Sequence, residues 1–362
     1  MISYSRWGNE LYSGKRSYGF IKNRKIYFSI GGFFVLLSII LLLFVGMNPS
    51  IEFRGGSEFT VTHAKTLDQD LAYKVIKQTN VKDSITRVTQ IGTDSIRLQT
   101  GKLSDHETTA VRQKLASVYG ASDKDVTSTF IGPSWGQDVT SKALWSLAIF
   151  LVLVALVMAA YFRTWTMSVA ALFALMHDVF ITAGFFSLTQ VEVSPATVIG
   201  FLTILGYSLY DTVVVFDKIR ENTKDFLSQR RYTYGELVNL SINQTLVRSI
   251  NTSIVAILPV ASIFFIGSYL LGAGTLCDIS LALLVGMIVG TMSSIFLASP
   301  LLYWLRSREH KVKDHSDEVM KSRVKINENG EEIISQVPVS PVKAGRHLGQ
   351  SAQPKKKAKS KR

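Results

Sequence analysis

Apolar positions along this chain gather into six runs, at residues 26–46, 143–162, 165–188, 195–217, 246–266 and 275–305, with polar sequence between them. A helix crosses a hydrocarbon layer of about 30 Å with roughly 20 residues. Each run is long enough to do so, and too pure in apolar side chains for a half-exposed helix on a soluble core. The pattern predicts six membrane-spanning helices. The sixth run is long enough to tilt or to extend past the bilayer. The first follows a basic leader, but no small-x-small cleavage site comes after it, so it is expected to stay as an anchor.

The longest polar stretch, 47–142, has other periods. Residues 57–63 read as a strand, and 66–79 as a helix with Thr66 and Gln69 forming a capping box. Residues 84–91 and 95–100 alternate like a hairpin about 92–94. Residues 104–119 form a second helix, opened by Ser104 and Glu107, with Val111, Leu115 and Val118 on one face. Residues 126–131 close the series as a strand. The order β-α-β-β-α-β is that of a ferredoxin-like α+β unit. The stretch holds no cluster of His, Cys or acids, so no catalytic site is expected in it; His63 and His106 read as surface histidines.

Charge adds a direction. The 362 residues carry a formal net charge of +13, and mean hydropathy is +0.22. Arg6, Lys15, Arg16, Lys22, Arg24 and Lys25 precede the first run against Glu10 alone, and the polar loop 218–245 has five basic residues. The short loops 189–193 and 267–274 have none. Six spans put both termini on one side, and the positive-inside rule makes that side the cytoplasm, with 47–142 exported. The tail 306–362 is Lys-, Pro- and Ser-rich and expected to be disordered. Its PKKKAKSKR end suits anionic lipid, a ribosomal surface or solubility better than nucleic acid on a membrane protein. Cys277 is the only cysteine, which excludes an intramolecular disulfide.

The candidate chemistry lies inside the apolar runs. Asp211 sits in the last third of the fourth run, where an ionised carboxylate costs roughly 2.5–3.5 kcal/mol. Helical spacing puts Thr203, Tyr207, Ser208 and Asp211 on one side, which should face protein or water. Arg248, early in the fifth run, either snorkels to the interface or pairs with Asp211, and pairing is the functional expectation. His177 and Asp178, mid-way along the third run, point about 100° apart and cannot ligate one metal together; they serve helix packing or a proton relay. Asp178 continues a stripe of Ala170, Ala174 and Thr182. Asp278 reaches the outer interface, and Pro259 allows a kink in the fifth helix. Ala282, Gly286, Gly290, Ser294 and Ala298 recur every four residues, a code for close helix packing. Gly8 and Gly14-Lys15-Arg16 have the wrong glycine spacing and no preceding strand for a phosphate loop. No metal, cofactor or enzymatic turnover is expected.

Several of these stretches resemble one family. IEFRGGSEF follows the first run and IGPSWGQD precedes the second. ALMHDVFITAGFFSLTQVEVS lies in the third and ATVIGFLTILGYSLYDTVVVFDKIREN in the fourth; SINQTLVRSINTS and GMIVGTMSSIFLASPLL follow. In that order they resemble the SecF branch of the SecD/SecF family of bacterial protein-export membrane proteins, relatives of the proton-driven RND transporters. The resemblance implies an RND-like bundle in the cytoplasmic membrane. It also implies action with SecD beside the SecYEG channel, with YajC and YidC as further partners. Unfolded exported polypeptides are the cargo, and the proton-motive force supplies the drive. Asp211 and Arg248 match the family's proton-conducting positions. Tyr210 stands where the family often has Asn, which would alter hydrogen bonding at Asp211. Two other functions stay open on the residues alone: a static translocon scaffold, and half of an RND-type small-molecule exporter.

Overall fold

The computed structural model describes residues 4–79, 86–162, 164–267, 274–326 and 332–334. The basic leader is folded: α1 (Tyr4–Tyr12) lies along the fifth span. The first span, α2 (Arg24–Phe44), is 21 residues long, the length a bilayer core requires. The chain then makes a short strand β1 (Asn48–Pro49) and one turn of helix, α3 (Ile51–Arg54), and enters the α+β unit.

That unit consists of β2 (Gly56–Val61), α4 (Gln69–Gln78), β3 (Arg87–Ile91), β4 (Ser95–Thr100), α5 (Asp105–Tyr119) and β5 (Val126–Ile131). Its four strands are antiparallel in the order β3-β4-β2-β5, the split β-α-β topology expected. Alternate residues of the strands, Phe59, Val61, Ile96 and Leu98, pack under Val75, Val111, Leu115 and Tyr119 of the two helices. Ser104 and Glu107 form the expected capping box. Two details differ. The first helix starts at Gln69 and is capped by the side chain of Asp68, not by Thr66, because the Asp68 carboxylate accepts from Asp70 N–H. Val118 is exposed; Ala116 and Tyr119 fill the buried face instead. Residues 80–85, which include the expected start at 84 of the strand over 84–91, lie outside the described residues.

The other spans are α6 (Pro133–Phe162), α7 (Trp165–Thr189), α8 (Pro195–Asn222), α9 (Tyr234–Ile266) and α10 (Gly274–Ser293). After α10 the sixth span continues through a π turn at Ser294–Ala298 into α11 (Ser299–Arg306). A two-residue strand, β6 (Glu192–Val193), pairs in parallel with β1 between α7 and α8. Two helices outrun their apolar stretches. The start of α6 packs on α3, where a Cβ on Gly136 would collide with the Phe53 carbonyl oxygen. The start of α9 is a polar extension with a Thr233/Glu236 capping box. Helix α9 runs on through Pro259 to Ile266. Hydropathy marks only the lipid-spanning part of such helices, so both begin before the apolar runs that announced them.

Helices α7, α8 and α10 form the middle of the bundle, while α2, α6 and α9 expose long apolar flanks, as lipid-facing helices do. The tail was expected to be disordered from Arg306, yet α12 (His310–Arg323) folds back on the polar end of the bundle. Val312, His315 and Val319 are buried there, and Arg323 forms an ion pair with Glu236 at 2.7 Å. Composition hid this helix, because its few buried residues sit among exposed charges. Beyond it a hairpin of β7 (Val324–Ile326) and β8 (Glu332–Ile334) is described, and the terminal basic run lies outside the described residues.

Candidate functional site

Ser194 and Thr197 cap the start of α8 and Pro195 occupies its first turn, so the helix enters the bundle in a fixed register. Gly200, Gly286 and Gly290 then let α8 and α10 approach closely. A Cβ on Gly286 would collide with the Ile204 side chain, and one on Gly290 would fall 2.9 Å from Ser208 Cβ. The small-residue stripe of the sixth span thus lies against α8. This close approach brings polar groups of three helices together.

Asp211 is 5% exposed. Ser249 on α9 donates to its Oδ1 at 2.7 Å, and Ser294 of the π turn donates to its Oδ2. Ser294 Oγ also lies 3.0 Å from the Thr291 carbonyl, and Ser299 donates to the Ser294 carbonyl at 3.1 Å. Pro300 explains the turn. It has no N–H for the carbonyl of Phe296, so the local ladder shifts register, and π turns of this kind recur at functional sites.

One turn before Asp211, Ser208 donates to Asp178 Oδ2 at 2.5 Å, and His177 Nδ1 lies 3.1 Å from Asp178 Oδ1. Asp178 is 1% exposed. His177 in turn lines a cavity of about 440 Å³ between α2, α7 and the sixth span. Further out, Ser253 and Thr291 share a hydrogen bond at 2.7 Å, and Tyr207 Oη lies 3.4 Å from Ser253. Hydroxyl groups therefore line the interior from α8 to α9 and the sixth span.

The expected pair of Asp211 and Arg248 does not form. Arg248 is exposed, and among the described residues it makes no ion pair. Neighbouring residues on a helix point about 100° apart, so turning Ser249 toward Asp211 turns Arg248 onto the outer flank of α9. Tyr210 is exposed as well and takes no part in the hydrogen bonding of Asp211. Thr203 is also exposed and bonds within its own helix, so the polar side of α8 begins at Tyr207. Sequence reading missed Ser249, and took Ser294 for a packing residue only. The available clue to Ser294 was Pro300 inside an apolar span.

At the end of the bundle that carries the α+β unit, Ser194 donates to Asp278 at 2.8 Å. Gln99 of β4 bridges Glu58 of β2 and Glu192 of β6 at 3.1 and 2.7 Å, and Arg97 lies 3.6 Å from Glu58 and 3.9 Å from Glu192. These bonds dock the four-stranded sheet on the bundle. Burial pushes the Glu192 carboxyl above its ordinary range, against the hydrogen bond from Gln99 and the charge of Arg97. At the other end, Asn222 donates to Ser241 and Gln244, both at 2.8 Å, and Asn243 holds Tyr18. No group of three or more His, Cys, Asp or Glu that could hold a metal occurs among the described residues.

Among the described residues, six apolar helices, buried carboxyls bound by hydroxyls and a small docked α+β unit define a polytopic membrane protein. A family profile described as "Protein export membrane protein SecD/SecF, C-terminal" matches residues 110–308. The chain is 42% identical over 328 residues to the protein translocase subunit SecF of Streptomyces coelicolor, covering 91% of this chain and 87% of that one. It is 37% identical over 337 residues to the SecF subunit of Mycobacterium tuberculosis, covering 90% and 76%. The crystal structure of SecDF from Thermus thermophilus, described as a translocon-associated membrane protein, superposes with a TM-score of 0.72 at 31% identity. That match covers 82% of this chain and 39% of the SecDF chain, so the chain spans about two fifths of the solved protein. The chain belongs to the SecD/SecF family.

Proposed function

We propose that this chain is the SecF-type auxiliary subunit of the Sec translocase, which couples the proton-motive force to protein export. Asp211 is the group that gains and loses the proton. The observation that carries this reading is the pair of serines on its carboxylate. A serine hydroxyl both donates and accepts. When Asp211 is ionised, Ser249 and Ser294 donate to it. When it is protonated, its own O–H donates to one of them, and that serine turns its hydrogen elsewhere; for Ser294 the Thr291 carbonyl stands ready at 3.0 Å. An arginine partner would hold the ionised form alone. The hydroxyl cage accepts both, which a carrier of protons requires. Asp178, with Ser208 and His177, forms a second such station one turn away.

In this reading the partner is SecD, a second six-span chain, and exposed Arg248 belongs to the interface with it. The length of the solved SecDF chain supports a missing half. SecYEG, with YajC and YidC, forms the surroundings, and unfolded exported polypeptides are the cargo. The termini are cytoplasmic and the unit 47–142 is exported, in a bacterial cytoplasmic membrane. A potential of about 100 mV supplies roughly 2.3 kcal/mol per proton crossing, comparable to couplings of about 1–3 kcal/mol between conformational states. The test is export of a slow precursor into inverted membrane vesicles, with and without an ionophore. Asp211→Asn should remove the ionophore-sensitive part of export and leave assembly with SecD intact. Ionophore-sensitive export at the wild-type rate in Asp211→Asn vesicles would sink the assignment.

A further inference from the structure

At the end of the bundle opposite the exported unit, the leader folds against α9 and α11 around a cavity of about 440 Å³. This volume lies within the usual range of small-molecule sites, about 300–1,000 Å³. Gly14-Lys15, the pair whose spacing excludes a nucleotide loop, forms one wall with Ser17 and Lys22. Gly14 takes a left-handed conformation (φ 72°) that lets the chain turn there. Lys15 and Lys22 are exposed, and among the described residues neither makes an ion pair. The one carboxylate in the lining, Glu236, is already held by two nitrogens of Arg323, at 2.7 and 2.9 Å, and by Thr233. Ser17 Oγ accepts from Asn239 at 3.0 Å and from Asn243 at 3.4 Å, and its own hydrogen has no acceptor among the described residues. Unspent donors and positive charge thus face a cavity whose acid is neutralised.

Its depth identifies the occupant. Lys22 stands two residues before the first span begins at Arg24, and Tyr303 stands three before the sixth ends at Arg306. The cavity therefore lies at the level where lipid phosphates sit, with hydrocarbon beginning one turn deeper. We propose that it binds the phosphate headgroup of an anionic phospholipid, with Lys15 and Lys22 pairing its charge and the Ser17 hydroxyl donating to a phosphate oxygen. An anionic lipid bound there would tie the leader to the start of α9, the helix that carries Ser249.

The test is native mass spectrometry of the full chain released from micelles containing phosphatidylglycerol or phosphatidylcholine, with inorganic phosphate and ATP as soluble competitors. The expected result is one phosphatidylglycerol retained in preference to phosphatidylcholine and not displaced by either competitor. Retention should fall about fivefold for each of Lys15→Gln and Lys22→Gln, the equivalent of roughly 1 kcal/mol per basic group near a membrane surface. Lys15→Arg/Lys22→Arg should restore it, and Lys313→Gln, on α12 outside the cavity, should leave it unchanged. Equal retention by wild type and the double Gln variant overturns the proposal. So does displacement by phosphate or ATP, which would make the cavity a site for soluble phosphates.

Discussion

The hydroxyl cage around Asp211 can be separated from an ion pair by a double-mutant cycle. Asp211→Asn keeps the shape of the side chain and converts two charge-assisted hydrogen bonds to neutral ones. Hydrogen bonds to a charged group contribute roughly 1.5–3 kcal/mol and neutral ones about 0.5–1.5 kcal/mol. A cycle of Asp211→Asn with Ser249→Ala should therefore show a coupling of about 1 kcal/mol, the difference between the two kinds of bond. The same should hold for Asp211→Asn with Ser294→Ala. Arg248 shares no partner with Asp211, so Asp211→Asn with Arg248→Gln should be additive within about 0.3–0.5 kcal/mol. A buried ion pair predicts otherwise, because breaking one costs about 3–5 kcal/mol and leaves a stranded charge whose removal restores stability. The assay is the unfolding free energy of each variant in detergent micelles, measured on the chain without its partner. Coupling to Arg248 that equals or exceeds the coupling to the serines would refute the cage.

Three further outcomes are expected. Gly290→Ala should destabilise the bundle by about 1–3 kcal/mol, because the new methyl meets Ser208 at 2.9 Å, whereas Gly206→Ala, which meets nothing within 4 Å, should be neutral or stabilising by up to about 1 kcal/mol; micelle unfolding reads both, and equal effects would discount the α8–α10 contact. With Cys277→Ser as background, a cysteine at exposed Ser122 should label in intact cells and one at exposed Ser228 only after permeabilisation, and the reverse pattern would invert the topology. Glu192 has a raised carboxyl pKa in the folded chain, so the folded state holds its proton more tightly than the unfolded one. Stability from this group is complete below the ordinary carboxyl range and is lost as pH rises through the raised value. Wild type should therefore lose melting temperature relative to Glu192→Gln as pH rises from about 4 to 8. The neighbouring charges at this site are Glu52, Glu58, Arg97 and Asp278, and a difference independent of pH would assign the effect to them.

Period and length carried the architecture into the sequence, since both are properties of single segments. Twenty apolar residues specify a span wherever they occur, and the alternation of 95–100 or the Ser104/Glu107 box needs no distant partner to be recognised. What stayed hidden depends on which neighbour a residue meets. Asp211 was legible by its cost, yet its partners were not, because Ser249 and Arg248 occupy successive positions and only the rotation of α9 decides which one faces inward. Charge argued for the arginine; packing gave the place to the serine. The same step explains Ser294. Read by spacing it belongs to a stripe of small residues, and the register shift that aims its hydroxyl at Asp211 arises from Pro300 six residues on. A rotation that hides a hydroxyl and exposes an arginine on an apolar flank leaves Arg248 without an ion-pair partner among the described residues, so its charge either snorkels to the interface or meets another surface. The position of Arg248 is thus set by the same helix rotation that gives Asp211 its serine.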